Sequence, residues 1–244
     1  MKTALVTGAA GGIGQALCLA FRRSGYRVIG TDLKPTVEDC DVYIPSDLEG
    51  MLRDEVSQAL FIDSLAAVID DTGLDVLVNN AALQIVKPST QLSVRDWQRT
   101  LNTNVIAPFA LLQGLLPQLK RANGSVVNIA SVHAELTKPG FAAYATSKAS
   151  LVAMTKSVAV DLAGAIRVNC ICPAATATPM LVEGFDGREE ALSELGSCHP
   201  LGRIAEPMEV ARVAVFLASS DASFVNGAVL AVDGGIGARL HDPE

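Results

Sequence analysis

The sequence predicts an α/β protein of the Rossmann-like, doubly wound class, with a mostly parallel sheet of about seven strands and helices on both faces. Short β-branched runs alternate with longer stretches of helical periodicity, which is the rhythm of βαβ units. These runs are apolar throughout, as expected for strands buried on both faces. With 244 residues and 50% hydrophobic composition, we expect one domain over residues 1–244.

The strands are predicted at the apolar runs ALVT, VIG, VYI, DVLVNNA, SVVNIAS, IRVNCI and AVLAVDGG, in that order. Periodicity predicts helices at about residues 12–24, 52–72, 96–120, 142–163 and 207–218, with Ser93 placed to cap the third near Asp96. Residues 33–41 are too few for a helical crossover, so we expect a loop there. Residues 180–200 have weak periodicity and predict a substrate flap, and the chain ends in a short polar tail.

Charge and cysteine content exclude several classes of function. The formal net charge is -7 and there is no run of Lys or Arg, so neither nucleic acid nor an anionic membrane is an expected partner. The five cysteines lack zinc-ligand spacing. We expect reduced thiols in a cytoplasmic protein with no metal, and we expect Cys170 and Cys172 to point to opposite faces of a strand.

A glycine-rich turn, TGAAGGIG at residues 7–14, follows the first strand. Gly8 would permit the tight turn, Gly12 would let the backbone approach a pyrophosphate, and Gly14 would let the next helix pack on the sheet. About twenty residues further on, Asp32 ends the second strand, where a carboxylate can accept hydrogen bonds from the adenosine ribose. The alternatives are a glycine-rich turn without a ligand and a surface aspartate.

A Y-x-x-x-K pair, Tyr144 and Lys148, predicts acid/base chemistry. Residues four apart share a helix face, so an ammonium at 148 is expected to favour the phenolate at 144 and to lower the pKa of Tyr144 from about 10. Ser131 lies where the strand SVVNIAS should end at the crevice. It is either a catalytic hydroxyl or a cap for the next turn.

Over essentially its full length the chain resembles the short-chain dehydrogenase/reductase family. The motifs that carry the resemblance are TGAAGGIG at 7–14, Asp47, NNAA at 79–82, Asn104, Ser131, YATSK at 144–148, the segment 173–178, PLGR at 200–203 and VDGG at 232–235. The pattern departs at Ala82 and Ala174, where glycine is commoner, and this affects the expected nicotinamide contacts near Ala174.

The resemblance implies a nicotinamide-dependent oxidoreductase. Tyr144 would be the acid/base, Lys148 would hold the ribose and lower the tyrosine pKa, Ser131 would position the substrate oxygen, and Asn104 would anchor a water relay. A satisfied core amide is the alternative for Asn104. The implied cofactor contacts are Gly8, Gly12, Ile13, Gly14, Asp32, Asp47, Leu48, Asn80, Ala81, Tyr144, Lys148, Pro173, Thr176 and Thr178.

Residues just beyond the catalytic positions are expected to bind substrate. Gln84, His133 and Glu135 would join Ser131 and Tyr144 in a mixed lining that suits a small hydroxylated molecule. A solvated loop is the alternative for His133 and Glu135.

The sequence therefore predicts an NAD-dependent dehydrogenase acting on a sugar, polyol or cyclic diol. Asp32, with no basic residue in the glycine turn, would repel the 2′-phosphate of NADP. A 3-oxoacyl carrier-protein reductase is the alternative enzyme, and a cofactor-binding protein without turnover is the alternative from another class. We expect a homo-oligomer, a tetramer or dimer.

Overall fold

A computed structural model of the chain describes residues 1–35, 37, 39–185 and 187–240. The last four residues of the predicted polar tail, including His241, lie outside the described residues. Seven parallel strands form one sheet in the order β3-β2-β1-β4-β5-β6-β7. The strands are β1 (Lys2–Thr7), β2 (Tyr26–Asp32), β3 (Val42–Pro45), β4 (Val76–Asn79), β5 (Ser125–Ile129), β6 (Arg167–Pro173) and β7 (Val229–Val232). The predicted fold class is confirmed.

Helices cover both faces of the sheet. They are α1 (Gly12–Arg23), α2 (Glu55–Val68), α3 (Val94–Leu101), α4 (Ala107–Gly114), α5 (Leu116–Arg121), α6 (Ala142–Asp161), α7 (Pro179–Phe185), α8 (Glu189–Ser197) and α9 (Pro207–Ala218). Leu17 of α1 and Leu217 of α9 join the core on one face. Leu65 of α2 and Leu111 of α4 join the core on the other.

The long third helix predicted over residues 96–120 is wrong, because the structure divides it into three. The capping box predicted at Ser93 is present, but α3 begins at Val94. A π-helical segment, Asn102–Ile106, follows, in which the Ala107 amide donates to the Asn102 carbonyl. Pro108 lacks the N–H that an α-helix would direct at the Asn104 carbonyl, which explains the wider turn. Pro117 lies in the first turn of α5 and marks the second break.

The second predicted helix and the predicted flap differ in detail from the structure, whereas the predicted loop between β2 and β3 does not. The second helix begins at Glu55 and not at residue 52, because the extended residue Asp54 caps it by accepting from the Ser57 amide. The described residues of the β2–β3 connection form a loop, as predicted. The predicted flap contains the helices α7 and α8, and its mobility stays a prediction. Among the helices described, none combines the length and apolar character needed to span a bilayer.

The strand order fixes where a site can form. Strand β1 pairs with β2 on one side and with β4 on the other, so the connections from the carboxyl ends of β1 and β4 diverge. In open parallel sheets this divergence leaves a crevice that binds ligands. The segments that follow β1, β4, β5 and β6 carry most of the predicted site residues.

Candidate active site

The glycine turn after β1 is closed by its own backbone. Gly8 has φ +66°, a conformation that favours glycine, and its carbonyl accepts from the Gly11 amide at 3.1 Å. A Cβ on Gly14 would lie 1.9 Å from the Gly8 carbonyl oxygen. The close contact at Gly14 is therefore between the first turn of α1 and the glycine turn itself, whereas the sequence predicted a contact with the sheet.

Gly12 lies against the segment that follows β6. A Cβ on Gly12 would lie 2.8 Å from Thr178 Cγ2 and 3.0 Å from Pro179 Cδ. The absence of a side chain at Gly12 therefore makes room for the segment that follows β6. The first turn of α1 has no acidic side chain, so its backbone amides suit a bound phosphate. These features fit a dinucleotide pyrophosphate, and Ile13 lies in the same turn.

The turn after β4 interlocks with the glycine turn. The Asn80 side-chain amide donates to the carbonyls of Thr7 at 2.9 Å and Gly8 at 3.0 Å. The Thr7 hydroxyl accepts from the backbone amides of Asn80 and Ala81, both at 3.0 Å. A Cβ on Gly8 would lie 2.7 Å from Ala81 Cα. Asn80 thus holds the glycine turn in place, and its predicted contact with the cofactor stays a prediction.

Asp32 ends β2 beside the glycine turn. Its carboxylate accepts from the Ala10 amide at 3.0 Å and from the Lys34 amide at 3.3 Å. Asp47, after β3, is exposed and accepts from the Glu49 amide at 3.0 Å, whereas Leu48 is buried. The sheet therefore brings the two predicted adenosine-side carboxylates to its carboxyl edge.

The segment that follows β6 connects Pro173 to the predicted flap. The Thr176 hydroxyl donates to the Ala174 carbonyl at 3.1 Å, and Thr176 is buried. The Thr178 hydroxyl accepts from the Leu181 amide at 3.2 Å. These bonds fix the backbone that leads from the sheet to α7.

Tyr144 and Lys148 lie on α6 with Ser131 close to the phenol. The Lys148 ammonium is 5.6 Å from the centroid of the Tyr144 ring and donates to the Ile129 carbonyl at 2.7 Å. Lys148 is 2% exposed. Ser131 is also buried, and its hydroxyl accepts from the His133 amide at 3.2 Å. It therefore caps the next turn, the alternative that the sequence offered, and its catalytic role stays a prediction.

Burial has the largest effect on the pKa values of Tyr144 and Lys148. It raises the pKa of Tyr144 to about 12, against a smaller lowering by the Ser131 hydroxyl. The predicted lowering of the tyrosine pKa is therefore not found. Burial also lowers the pKa of Lys148 to about 8. Both effects arise because burial disfavours the charged form of each group.

Asn104 joins the turn after β4 to helix α6. Its Oδ1 accepts from the Leu83 amide at 2.7 Å, and its Nδ2 donates to the Leu83 carbonyl and to Ser147 Oγ, both at 2.9 Å. It is 1% exposed. The side chain is thus a satisfied core amide, as the alternative interpretation expected, and the water relay stays a prediction. The backbone carbonyl of Asn104 lacks the α-helical donor at Pro108.

The predicted substrate residues divide into two groups. His133 stacks on Phe141 at 4.5 Å between ring centroids and makes a T-shaped contact with Tyr144 at 5.7 Å. Gln84 and Glu135 are exposed, and they stay predictions. Sequence reasoning missed Phe141 and Ser147, although Ser147 lies one residue before Lys148 and three after Tyr144, on the face they share.

The prediction that Cys170 and Cys172 point to opposite faces is wrong. Both lie on β6 and belong to one buried cluster with Leu151. Residues two apart on a strand share a face because side chains alternate with a period of two. In the ranges that the structure covers, no three His, Cys, Asp or Glu side chains are grouped as metal ligands.

Comparisons with known proteins give relatives that match the chain over nearly its full length. Residues 8–237 match the family profile described as enoyl-(acyl carrier protein) reductase. The chain is 38% identical to a 3-oxoacyl-[acyl-carrier-protein] reductase of Thermotoga maritima over 243 residues, covering 96% of this chain and 97% of the relative.

Two solved structures are similar over nearly the full length. One is aldohexose dehydrogenase of Thermoplasma acidophilum, with a TM-score of 0.90, 33% identity, and coverage of 100% of this chain and 96% of the other. The other, from Beutenbergia cavernae, is described as an NAD(P)-dependent gluconate 5-dehydrogenase with NADP bound at low occupancy. Its TM-score is 0.87, with 33% identity and coverage of 98% and 97%.

Proposed function

Because the chain belongs to the short-chain dehydrogenase/reductase family of oxidoreductases, we propose that it is an NAD-dependent enzyme interconverting a secondary alcohol and a ketone on a small polar substrate. The cofactor would accept or supply the hydride. The protein's own residues would bind and orient the reactants and move the proton.

The observation that carries the cofactor assignment is the position of Asp32. Its carboxylate faces the glycine turn through the Ala10 amide, and residues 8–14 contain no Lys or Arg. Like charges 4 Å apart repel by about 4 kcal/mol at an effective dielectric of 20, whereas a ribose hydroxyl donating to a carboxylate gains about 1.5–3 kcal/mol. Both effects favour NAD over NADP, although one similar structure holds NADP.

The proton would pass through Tyr144. With its pKa raised to about 12, the phenol holds a proton at neutral pH and is ready to donate it to a ketone oxygen. Taking a proton from an alcohol requires a nearby positive charge, and Lys148 supplies one at 5.6 Å from the ring. Ser131, close to the same phenol, would position the substrate oxygen.

The substrate proposal follows from the lining around Tyr144. The polar ring of His133 lies in a T-shaped contact with Tyr144, and Gln84 and Glu135 would add polar groups at the rim, which suits a sugar, polyol or cyclic diol. The similarity to aldohexose and gluconate dehydrogenases supports this class. A 3-oxoacyl carrier-protein reductase is the second candidate, favoured by the 38% identity to such an enzyme.

Substitution of Asp32 tests the proposal. With a substrate found by screening sugars, polyols, diols and oxoacyl thioesters, we expect kcat/KM to favour NAD by at least about a hundredfold, the factor that about 2.7 kcal/mol produces. Asp32→Ala should reduce the difference in kcat/KM between the two cofactors, mainly by raising kcat/KM with NADP. Asp32→Asn is the matched variant, because it keeps an acceptor for Ala10 and removes only the charge.

Equal or better activity with NADP would contradict the assignment and favour the oxoacyl reductase. No turnover with any substrate class, together with intact cofactor binding, would favour a non-catalytic cofactor-binding protein.

The same proposal includes a single domain, a homo-oligomeric state as dimer or tetramer, and a cytoplasmic location. A sedimentation measurement would test the oligomeric state.

A further inference from the structure

Two cysteines lie side by side beneath the adenosine end of the predicted cofactor site. The Sγ atoms of Cys18 and Cys40 are 3.6 Å apart. Cys18 is on α1 and fully buried, whereas Cys40 is on the connection that follows β2 and is partly exposed. No role in hydride transfer requires this pair, and they come from segments 22 residues apart in sequence.

Both cysteines lie next to β2, the strand that ends at Asp32. A Cβ on Gly30 would lie 2.2 Å from Cys40 Sγ and 3.1 Å from Ala9 Cβ, so Cys40 fills the space above Gly30 next to the glycine turn. Gly30 is two residues before Asp32 on β2. Helix α1, which holds Cys18, begins in the same glycine turn.

We propose that Cys18 and Cys40 form an oxidation-sensitive dithiol, whose conversion to a disulfide weakens cofactor binding at the adenosine end. The coupling to the cofactor rests on the proposed NAD-dependent function. The disulfide itself does not, and it can be detected independently.

The oxidation balances with a peroxide as the oxidant. The Cys40 thiolate attacks one oxygen of hydrogen peroxide, forming a sulfenic acid and releasing hydroxide, which takes a proton to become water. The Cys18 sulfur, giving up its proton, then attacks the Cys40 sulfur and expels the second hydroxide as water. Two thiols and one peroxide thus give one disulfide and two waters, and a small thiol reverses the step by exchange.

The surroundings favour Cys40 as the attacking thiol. The hydrogen bond from Cys18 lowers the pKa of Cys40, and Arg22 lowers it further, whereas burial, Asp39 and Asp41 raise it. The same bond and burial raise the pKa of Cys18. Since the thiolate is the nucleophile, the partly exposed Cys40 is the residue that peroxide meets first.

Closing the disulfide moves the segment that carries Asp32. The sulfurs must approach from 3.6 Å to about 2.05 Å. On the carboxyl side of Cys40, Asp41 is held to Val28 by its amide at 2.9 Å and by its carboxylate at 2.7 Å. A displacement of Cys40 therefore reaches β2 through these two bonds to Val28. The Tyr43 hydroxyl, which donates to the Asp32 carbonyl at 3.3 Å, adds a third link to the end of the same strand.

The test combines peptide mapping with cofactor binding. The full chain is treated with hydrogen peroxide at equimolar to tenfold ratios, digested without reduction, and searched for a peptide pair joined through Cys18 and Cys40. The Kd of NAD+ is measured by calorimetry before oxidation, after it, and after dithiothreitol. We expect the linked pair and a rise in Kd of at least about fivefold, the lower end of ordinary coupling between sites, reversed by dithiothreitol.

Two variants serve as controls. Cys40→Ser should lose both the linked pair and the rise in Kd, whereas Cys198→Ser, which removes an exposed cysteine, should keep both. Absence of the linked pair, an unchanged Kd in the linked protein, or an equal rise in Cys40→Ser would overturn the proposal. Failure of the reduced protein to bind NAD+ would count against the proposed cofactor, while the linked pair decides on the dithiol in either case.

Discussion

The buried ammonium of Lys148 should make the stability of the protein depend on pH. Its pKa falls from 10.5 to about 8 on folding, so below pH 8 the folded protein bears the full cost of a buried charge. At about 1.4 kcal/mol for each factor of ten, this cost is about 3 kcal/mol. Between pH 8 and 10.5 the unfolded chain keeps the proton that the folded one releases, so stability should rise with pH.

Lys148→Met removes this charge while filling similar space. The free energy of unfolding is measured by urea titration at pH 7, 8, 9 and 10. Between pH 7 and pH 10 it should increase by about 2.5 kcal/mol more in the wild type than in the variant. Other groups that titrate in this range are common to both proteins, and the Ile129 carbonyl left without its donor adds a cost independent of pH. Comparing the two slopes therefore isolates Lys148.

Lys156→Met is the matched control, because Lys156 is exposed on the same helix. It should leave the pH dependence of the wild type unchanged. Parallel curves for wild type and Lys148→Met would refute the conclusion that burial depresses the pKa of this lysine.

Two more substitutions test the packing beneath the site. Gly14→Ala should cost at least about 2 kcal/mol of stability in urea titrations, because its Cβ would lie 1.9 Å from the Gly8 carbonyl oxygen. Gly11→Ala, with a Cβ 3.4 Å from the same oxygen, should cost less than about 1 kcal/mol, and equal losses would contradict the packing argument. Asn104→Ala should lower stability by at least about 2 kcal/mol, because it leaves the amide and carbonyl of Leu83 without their partner and removes the donor to Ser147. An unchanged melting temperature would show that those bonds are replaced by water.

The parts of the fold that depend on local pattern could be predicted from the sequence. Apolar runs located the strands, and the Ser93 capping box marked the start of a helix. The π-helical segment was missed because a helical apolar pattern continues through it. The signal was Pro108, which has no backbone N–H to donate to the Asn104 carbonyl. Pro117 marked the second break for the same reason.

The chemistry of the site depends on burial, which residue spacing does not give. The spacing of Tyr144 and Lys148 predicted a shared face, but the direction predicted for the pKa of Tyr144 was wrong, because burial raises it by more than the Ser131 hydroxyl lowers it. Phe141 could not be predicted, since its stack on His133 depends on how the loop after β5 folds back onto α6. The exposed positions of Gln84 and Glu135 likewise depend on loop conformation.

The most direct test of the central claim is the turnover of Tyr144→Phe. This variant keeps the ring and removes only the hydroxyl that would carry the proton. Steady-state rates should be measured beside the wild type on the substrate found by screening, with the Kd of NAD+ determined in parallel. The account predicts that kcat falls by about 10²–10⁴-fold while NAD+ still binds. A Tyr144→Phe enzyme that retained most of its turnover would contradict it.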